Sequence, residues 1–104
     1  MEILLELING SERVKIPEGE TEIEAYAFRG RTDIVGVTIP EGVTGIGRGA
    51  FEECKNLKKI TIPGSVTEIG RRAFFTCTDL KSIRIPEGVT KIGNFAFQGC
   101  ENLK

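Results

Sequence analysis

Apolar residues recur along this chain with a fixed spacing of 23 residues. The dipeptide Ile-Pro marks the spacing and occurs at Ile16-Pro17, Ile39-Pro40, Ile62-Pro63 and Ile85-Pro86. A period of this length is typical of a stack of small supersecondary units rather than of one compact globule. We divide the chain into repeats 11–33, 34–56, 57–79 and 80–102, and Leu103 begins the pattern of a fifth.

Each repeat starts with two aliphatic residues spaced two positions apart, as in Val14 and Ile16. In an extended chain two such residues point to the same side. The proline that follows has no amide hydrogen to give to a neighbouring strand, so the strand ends there. The pattern predicts one strand per repeat, paired in parallel with the strands of adjacent repeats. A second, shorter extended stretch is predicted to end at the buried isoleucines Ile23, Ile46, Ile69 and Ile92.

The rest of each repeat carries an Ala-Phe pair, as in Ala27-Phe28, for which a short helical turn is predicted. One repeat has too few apolar residues to bury them alone, so neighbouring repeats must cover its top and bottom. The predicted fold class is an α/β solenoid. It is a short right-handed coil of four 23-residue repeats, with a parallel β-sheet on one face and short helical or irregular turns on the other.

The first ten residues continue the repeat pattern upstream. Leu4-Leu5 fall at the Ala-Phe positions, and Ile8 falls at the position where later repeats have cysteine. We therefore predict that residues 1–10 form a helical half-repeat that caps the solenoid domain of residues 11–104. The alternative is a β-hairpin, because Asn9-Gly10 is a strong hairpin dipeptide.

The two ends of the repeat array differ in polarity. The first repeat has Glu20 and Glu24 where the second has Val43 and Gly47, a change typical of a terminal repeat that meets water. The last repeat keeps the apolar pattern, which predicts an apolar end that a second copy, an exchanged segment or further sequence would cover. Our hypothesis is a homo-oligomer formed through this end. The alternative is that basic residues keep this end soluble. The candidate self-association residues are Ile83, Ile85, Phe97 and Leu103.

Charge is nearly balanced over the chain but separated along each repeat. The 14 Lys and Arg residues against 15 Asp and Glu give a net charge of -1, which argues neither for nucleic acid nor for an anionic membrane as partner. The outward strand positions are basic, with Glu12 as the one acid among them, whereas carboxylates collect after each proline. The candidate partner-binding residues are Arg13, Lys15, Thr38, Lys58, Lys59, Thr61, Lys81 and Arg84.

Little in the sequence points to catalysis, a metal or a cofactor. Histidine is absent, and Cys54, Cys77 and Cys100 occur singly, which is far from zinc-ligand spacing. We interpret these cysteines as a column of buried thiols. The glycines of Gly45–Gly49 are interpreted as corner residues rather than as a phosphate loop, because the Gly-Lys-Ser/Thr ending is missing. No stretch reaches the roughly 18 apolar residues of a membrane span. We expect a protein that is not an enzyme and has no cofactor.

The repeat pattern L-x-x-I-x-I-P-x-x-V-T-x-I-G-x-x-A-F-x-x-C resembles the BspA-type (Treponema pallidum-type) leucine-rich repeats of bacterial surface proteins, over residues 11–104. The resemblance implies a protein-interaction role, often at a cell surface, although this chain shows no signal peptide or anchor. We expect a non-catalytic module that binds a protein through its basic strand face, which an acidic partner would complement. The alternative function is a structural block that self-associates through its C-terminal end.

Overall fold

The computed structural model of the chain describes residues 4–8 and 11–103, which fold into four stacked coils. Coils 1 to 4 correspond to the four repeats in order. Two sheets run through the stack: sheet A has the strand order β1-β2-β4-β6, and sheet B has the order β3-β5-β7-β8. The strands are β1 (Leu4–Ile8), β2 (Ser11–Lys15), β3 (Glu22–Ile23), β4 (Ile34–Thr38), β5 (Gly45–Ile46), β6 (Lys59–Thr61), β7 (Glu68–Ile69) and β8 (Lys91–Ile92).

The register of sheet A confirms that equivalent repeat positions lie in line. Val14 pairs with Val37 in parallel, and Val37 pairs with Ile60. Their side chains are buried in one continuous core. In coil 4 the predicted strand around Ile83 and Ile85 is not formed, and both side chains are only half-buried. The parallel part of sheet A therefore comprises β2, β4 and β6.

The cap at the start of the chain is a strand and not a helix. β1 pairs antiparallel with β2, with Leu5 opposite Val14. The predicted helical half-repeat is therefore wrong for residues 4–8, and the alternative of a hairpin describes the pairing, while Asn9-Gly10 lie outside the described residues. The physical reason is that a strand can pair with the free edge of β2, whereas a helix would leave that edge open.

The side of each coil that carries the Ala-Phe pair consists of consecutive tight turns, and the described ranges contain no helix. The amides of Tyr26 and Phe28 donate to carbonyl oxygens of coil 2 at 2.8 Å, while the amide of Ala27 donates to the carbonyl of Glu24, three residues earlier. Alternate amides thus bond to the next coil and within the coil. A helix would direct every amide to its own segment, so this backbone links the coils instead.

Four phenylalanines form a stack through the centre of this side. The ring centroids of Phe28 and Phe51 are 5.2 Å apart, and the next two spacings, to Phe74 and then Phe97, are 5.3 Å each. Beside the stack, the thiol of Cys54 donates to the carbonyl oxygen of Phe28 at 3.1 Å. The equivalent bonds recur at Cys77 and Cys100.

The cysteine column is formed as predicted at its first two positions. Cys54 and Cys77 are buried and Cys100 is half-buried, and all three thiols are free. They follow the phenylalanines along a run of turns, and the described residues show no helical face there.

A column of glycines lets successive coils approach closely. A Cβ atom on Gly47 would lie 2.6 Å from the carbonyl oxygen of Ile23, and one on Gly70 would lie 2.7 Å from the amide nitrogen of Arg48. Real Cβ atoms do not come so close to backbone atoms, so these positions require glycine. Coil 1 has Glu24 at this position, and its side chain is exposed. The polar change predicted for a terminal repeat thus occurs where the close approach is not needed.

Candidate interaction surfaces

The outward-pointing residues of sheet A form the strand face. The register places Arg13 on β2 beside Gly36 on β4, and Gly36 beside Lys59 on β6. In the next row, Lys15 lies beside Thr38, which lies beside Thr61. Strand spacing is about 4.8 Å, so Arg13 and Lys59 stand on strands about 10 Å apart. Two cations therefore flank a position that has no side chain.

A depression of about 200 Å³ lies over that glycine. It is lined by Arg13, Gly36, Val37, Thr38, Lys59 and Thr61. The Cγ of Arg13 is 3.4 Å from the point where a Cβ on Gly36 would be, so the arginine stem leans across the glycine. Two cationic groups and two hydroxyls thus surround one shallow opening. This arrangement suits a carboxylate or another anionic group, because hydrogen bonds from charged donors are stronger than neutral ones.

The cations of this depression have no carboxylate partner among the side chains that the structure describes. Within those residues the ion pairs are Arg29 with Glu52 at 3.2 Å and Arg31 with Asp33 at 2.6 Å. Glu6 holds the register position opposite Arg13 on β1, and only its backbone is described. Arg13 and Lys59 are therefore exposed cations that form no ion pair with a described side chain.

Glu12, the acid predicted on this face, belongs to a cluster with Asp33 and Arg31. Two hydrogen bonds, of 2.9 and 2.6 Å, join the Arg31 guanidinium to the Asp33 carboxylate. This contact holds the pKa of Asp33 well below its usual range. A hydrogen bond to Asp33 raises the pKa of Glu12 above its ordinary value. Glu12 therefore faces other charged groups of coil 1 and does not line the depression over Gly36.

The other candidate cations are exposed but lie apart from this depression. Lys58 precedes β6, and Lys81 lies in coil 4 outside any strand. Arg84 lines a different groove of about 630 Å³ along the proline corners, together with Glu41 and Glu87. The structure therefore brings together four of the predicted residues, Arg13, Thr38, Lys59 and Thr61. The other four predicted residues, Lys15, Lys58, Lys81 and Arg84, do not line the depression.

Sheet B carries an acidic row formed by some of the carboxylates that follow the prolines. Glu22 on β3 lies beside Gly45 on β5, and Gly45 lies beside Glu68 on β7. A depression of about 190 Å³ lies over this glycine, and Arg48 also lines it. The 23-residue step from Glu22 to Gly45 and Glu68 is the signal that could have revealed this row.

A second feature that the repeat pattern did not predict is a group of aromatic and arginine side chains on the turn side. The Arg72 guanidinium carbon is 4.8 Å from the centre of the Phe75 ring and 5.9 Å from that of Phe95. The Arg71 guanidinium carbon is 5.8 Å from the Phe95 ring. These cation–π contacts cover part of an aromatic surface that would otherwise meet water.

The apolar end of coil 4 differs in detail from the prediction. Ile83, Ile85, Phe97 and Leu103 are half-buried and pack against the core. The most exposed large apolar side chains at this end are Ile92, with 50% of its surface accessible, and Phe95, with 48%. The exposure arises because, among the described residues, no further coil covers the isoleucine of sheet B or the ring above the arginines.

Within the described residues, no group of three or more His, Cys, Asp or Glu side chains is arranged to hold a metal ion. The same residues contain no helix that is long and apolar enough to cross a membrane.

Stacked coils, a parallel sheet of aligned aliphatic residues and Ile-Pro corners define the class of leucine-rich repeat solenoids. The BspA type Leucine rich repeat region matches residues 9–104 in six copies, and the chain belongs to this family. No curated protein matches the sequence. Several solved structures do.

One similar structure is a leucine rich cell surface protein from Faecalibacterium prausnitzii, with 45% identity and a TM-score of 0.77 over 81% of this chain and 22% of that chain. Another is a leucine-rich repeat protein from Bacteroides capillosus, with 27% identity and a TM-score of 0.75, covering 98% of this chain and 94% of that one. The T. pallidum Leucine Rich Repeat protein shares the fold at 24% identity and a TM-score of 0.74, over 97% of this chain and 66% of that chain. The chain thus spans about a fifth of the first relative and about two thirds of the third.

Proposed function

We propose that this chain is a non-catalytic interaction module that binds an acidic protein segment on its strand face. Leucine-rich repeat proteins are in general protein-interaction or structural modules. The observation that carries the proposal is the depression over Gly36, where Arg13 and Lys59 flank an open floor with two threonine hydroxyls beside them. A carboxylate in this depression would meet charged donors from two strands at once.

The shape of the strand face supports an extended partner. Three neighbouring strands present alternate side chains outward, so β2, β4 and β6 together form a shallow, nearly flat surface. Lys15 lies beside Thr38 in the register of the sheet, Lys58 precedes β6, and Arg84 lines a separate groove. They would speed the approach of an acidic partner without contacting it directly, because charges at the rim of an interface mainly change the association rate.

Binding of a fluorescently labelled poly-glutamate peptide, followed by anisotropy, tests this proposal. We expect binding that weakens with salt and falls at least about tenfold in Arg13→Glu/Lys59→Glu. Lys55→Glu/Arg71→Glu is the matched control, because it changes the net charge equally on exposed positions outside the depression. Equal loss of binding in both variants would mean that only net charge matters, and the strand-face proposal would then fail.

A second candidate function is a structural block that associates through the end of coil 4. It is favoured by the exposure of Ile92 and Phe95 at that end. The candidate residues Ile83, Ile85, Phe97 and Leu103 are half-buried at the same end, and a layer added to it would bury them further. Light scattering of Ile92→Glu/Phe95→Glu and of the unaltered chain tests this association. If the variant and the unaltered chain have the same mass in solution, the end of coil 4 is not the association surface.

A further inference from the structure

The strand face and sheet B carry the same row of positions with opposite charge. The row on sheet A is Arg13, Gly36 and Lys59, and the row on sheet B is Glu22, Gly45 and Glu68. In both rows glycine occupies the middle strand and the charged residues stand two strands apart. The spacing of parallel strands is fixed by their hydrogen bonds, so the two pairs of charges have the same separation of about 10 Å.

In each row the first charged side chain leans over the glycine. The Cγ of Arg13 is 3.4 Å from the Cβ position of Gly36, and the Oε1 of Glu22 is 3.8 Å from the Cβ position of Gly45. Two depressions of nearly equal size result, about 200 and 190 Å³, one between cations and the other between carboxylates. Each glycine also allows another backbone or side chain to approach the sheet closely.

Neither row is neutralised within the part of the chain that the structure describes. The ion pairs there, Arg29–Glu52 and Arg31–Asp33, involve no member of either row. The two like charges of each row stand about 10 Å apart and form no ion pair with another described side chain, so they are open to a surface of opposite sign. A second copy of the chain offers that surface at the matching spacing.

The residues next to the two rows favour one orientation. Lys91 on β8 follows Glu68 in sheet B, and Glu6 on β1 holds the register position that precedes Arg13 in sheet A. When the rows run in opposite directions, Arg13 meets Glu68, Lys59 meets Glu22, and Lys91 faces the position of Glu6. The charges then alternate in sign across the contact. Arg48, which also lines the acidic depression, stays at its edge.

We infer that the acidic partner of the strand face is sheet B of a second copy of this chain. The inference rests on the proposed binding surface and names its partner. The contact joins two different surfaces, so a pair of copies keeps one free strand face and one free sheet B, and association leads to rings or open chains. The contact is small and polar, so it is weak and sensitive to salt.

Sedimentation velocity over a range of protein concentrations tests the inference. At about 0.01 M salt, where the Debye length is ~30 Å, the mean mass of the unaltered chain should rise with concentration. At about 1 M salt the apparent association constant should fall more than tenfold, because the Debye length is then ~3 Å. A chain that stays monomeric at low salt at every concentration would overturn the inference.

A charge exchange between the two rows identifies the contact. Arg13→Glu/Lys59→Glu makes both surfaces acidic, and Glu22→Lys/Glu68→Lys makes both basic, so each variant alone should associate at least about tenfold more weakly. Mixed in equal amounts, they should recover an association constant within about threefold of that of the unaltered chain. The single charge reversal Lys55→Glu, on an exposed position outside both rows, is the control and should associate normally. Failure of the mixture to recover, with both variants folded by circular dichroism, would refute the contact.

Two further arms separate this inference from the other proposals. If a variant does not fold, Arg13→Gln/Lys59→Gln replaces it, and unchanged association in that variant counts against the contact. If the unaltered chain is monomeric but still binds poly-glutamate through Arg13 and Lys59, the proposed function stands and the self-contact falls. If only Ile92→Glu/Phe95→Glu loses association, self-association occurs through the end of coil 4. That result would overturn the contact between the strand face and sheet B.

Discussion

The ring of Tyr26 lies directly over the Cα of Gly49. A Cβ atom at residue 49 would be 2.5 Å from two ring carbons of Tyr26, and Gly49 has a φ of 62°. Glycine is therefore favoured there for two separate reasons: the left-handed backbone disfavours a Cβ, and the ring of the preceding coil occupies the space that a Cβ would need. The equivalent positions in the other coils are Tyr26, Arg72 and Phe95, whose φ values are also close to 60°.

These two reasons can be separated by mutation. Gly49→Ala should lower the free energy of unfolding by about 2–3 kcal/mol, from the left-handed backbone and the contact with the ring together. In a Tyr26→Ala background the same change should cost only about 1 kcal/mol, because the ring is gone and only the backbone term is left. Urea denaturation of the four chains of this cycle measures both values. Equal costs in the two backgrounds would show that the ring does not restrict residue 49.

The glycine column at residues 47 and 70 predicts a different cost at each coil. Gly70→Ala should destabilise the chain by about 3 kcal/mol or more, because its Cβ would push against the backbone of coil 2. Glu24→Ala, at the same repeat position in coil 1, should change stability by less than about 0.5 kcal/mol, because this side chain is exposed. Thermal unfolding of both variants checks the contrast. A similar effect at both positions would contradict the explanation from close coil approach.

The cluster of Glu12, Asp33 and Arg31 predicts a pH-dependent effect of Glu12→Gln. The pKa of Glu12 is raised in the folded chain, so its carboxyl favours the fold below its unfolded pKa and opposes it as the pH rises through the folded value. Glutamine cannot ionise, so the variant should melt at a higher temperature than the unaltered chain at pH 7. The difference should vanish near pH 3, where the carboxyl is protonated in both states.

Glu18→Gln is the matched control for this experiment, because Glu18 is exposed and lies outside the cluster. It should leave the melting temperature nearly unchanged at both pH values. A variant of Glu12 that gains no stability at pH 7 would show that the ionised carboxylate is not opposed by its neighbours.

Thiol labelling should distinguish the three cysteines. Burial raises the pKa of Cys54 to about 11, so almost none of its thiol is ionised at pH 7.5. Cys100 is half-buried at the outer coil and should react first with a thiol reagent such as DTNB. Cys54 and Cys77 should react only when the coils open. Cys100→Ser should therefore remove the fast phase, and a fast phase that persists would contradict this order.

The stacking of the coils could be predicted because the 23-residue period fixes which residues meet. Val14, Val37 and Ile60 lie in register as their spacing required. The cap could not be predicted in the same way. Leu4-Leu5 are apolar in the helical and in the strand interpretation, and only the pairing of β1 with β2 separates them. The repeat pattern also could not predict the backbone conformation of the turns, because Tyr26, Arg72 and Phe95 adopt a positive φ that such residues seldom take.

The sequence predicted which residues belong to the candidate surfaces, but not how these residues are arranged relative to one another. Arg13 and Lys59 were recognised as outward cations, but the part played by Gly36 between them follows only from the register of three strands. The groove that contains Arg84 depends on how far the proline corners open, which a pattern of residue types does not specify.

The exposed Glu24 determines at which end of the stack a further coil can be added. A coil added upstream of coil 1 at the usual distance would bring its backbone against the Cβ of Glu24, whereas Gly47, Gly70 and Gly93 have no Cβ and let the preceding coil approach. Repeats gained by gene duplication can therefore be inserted more readily behind the first coil than ahead of it. An engineer who wishes to lengthen this scaffold should add new units downstream, because an upstream unit would need glycine in place of Glu24 and would also have to displace β1 from the edge of β2.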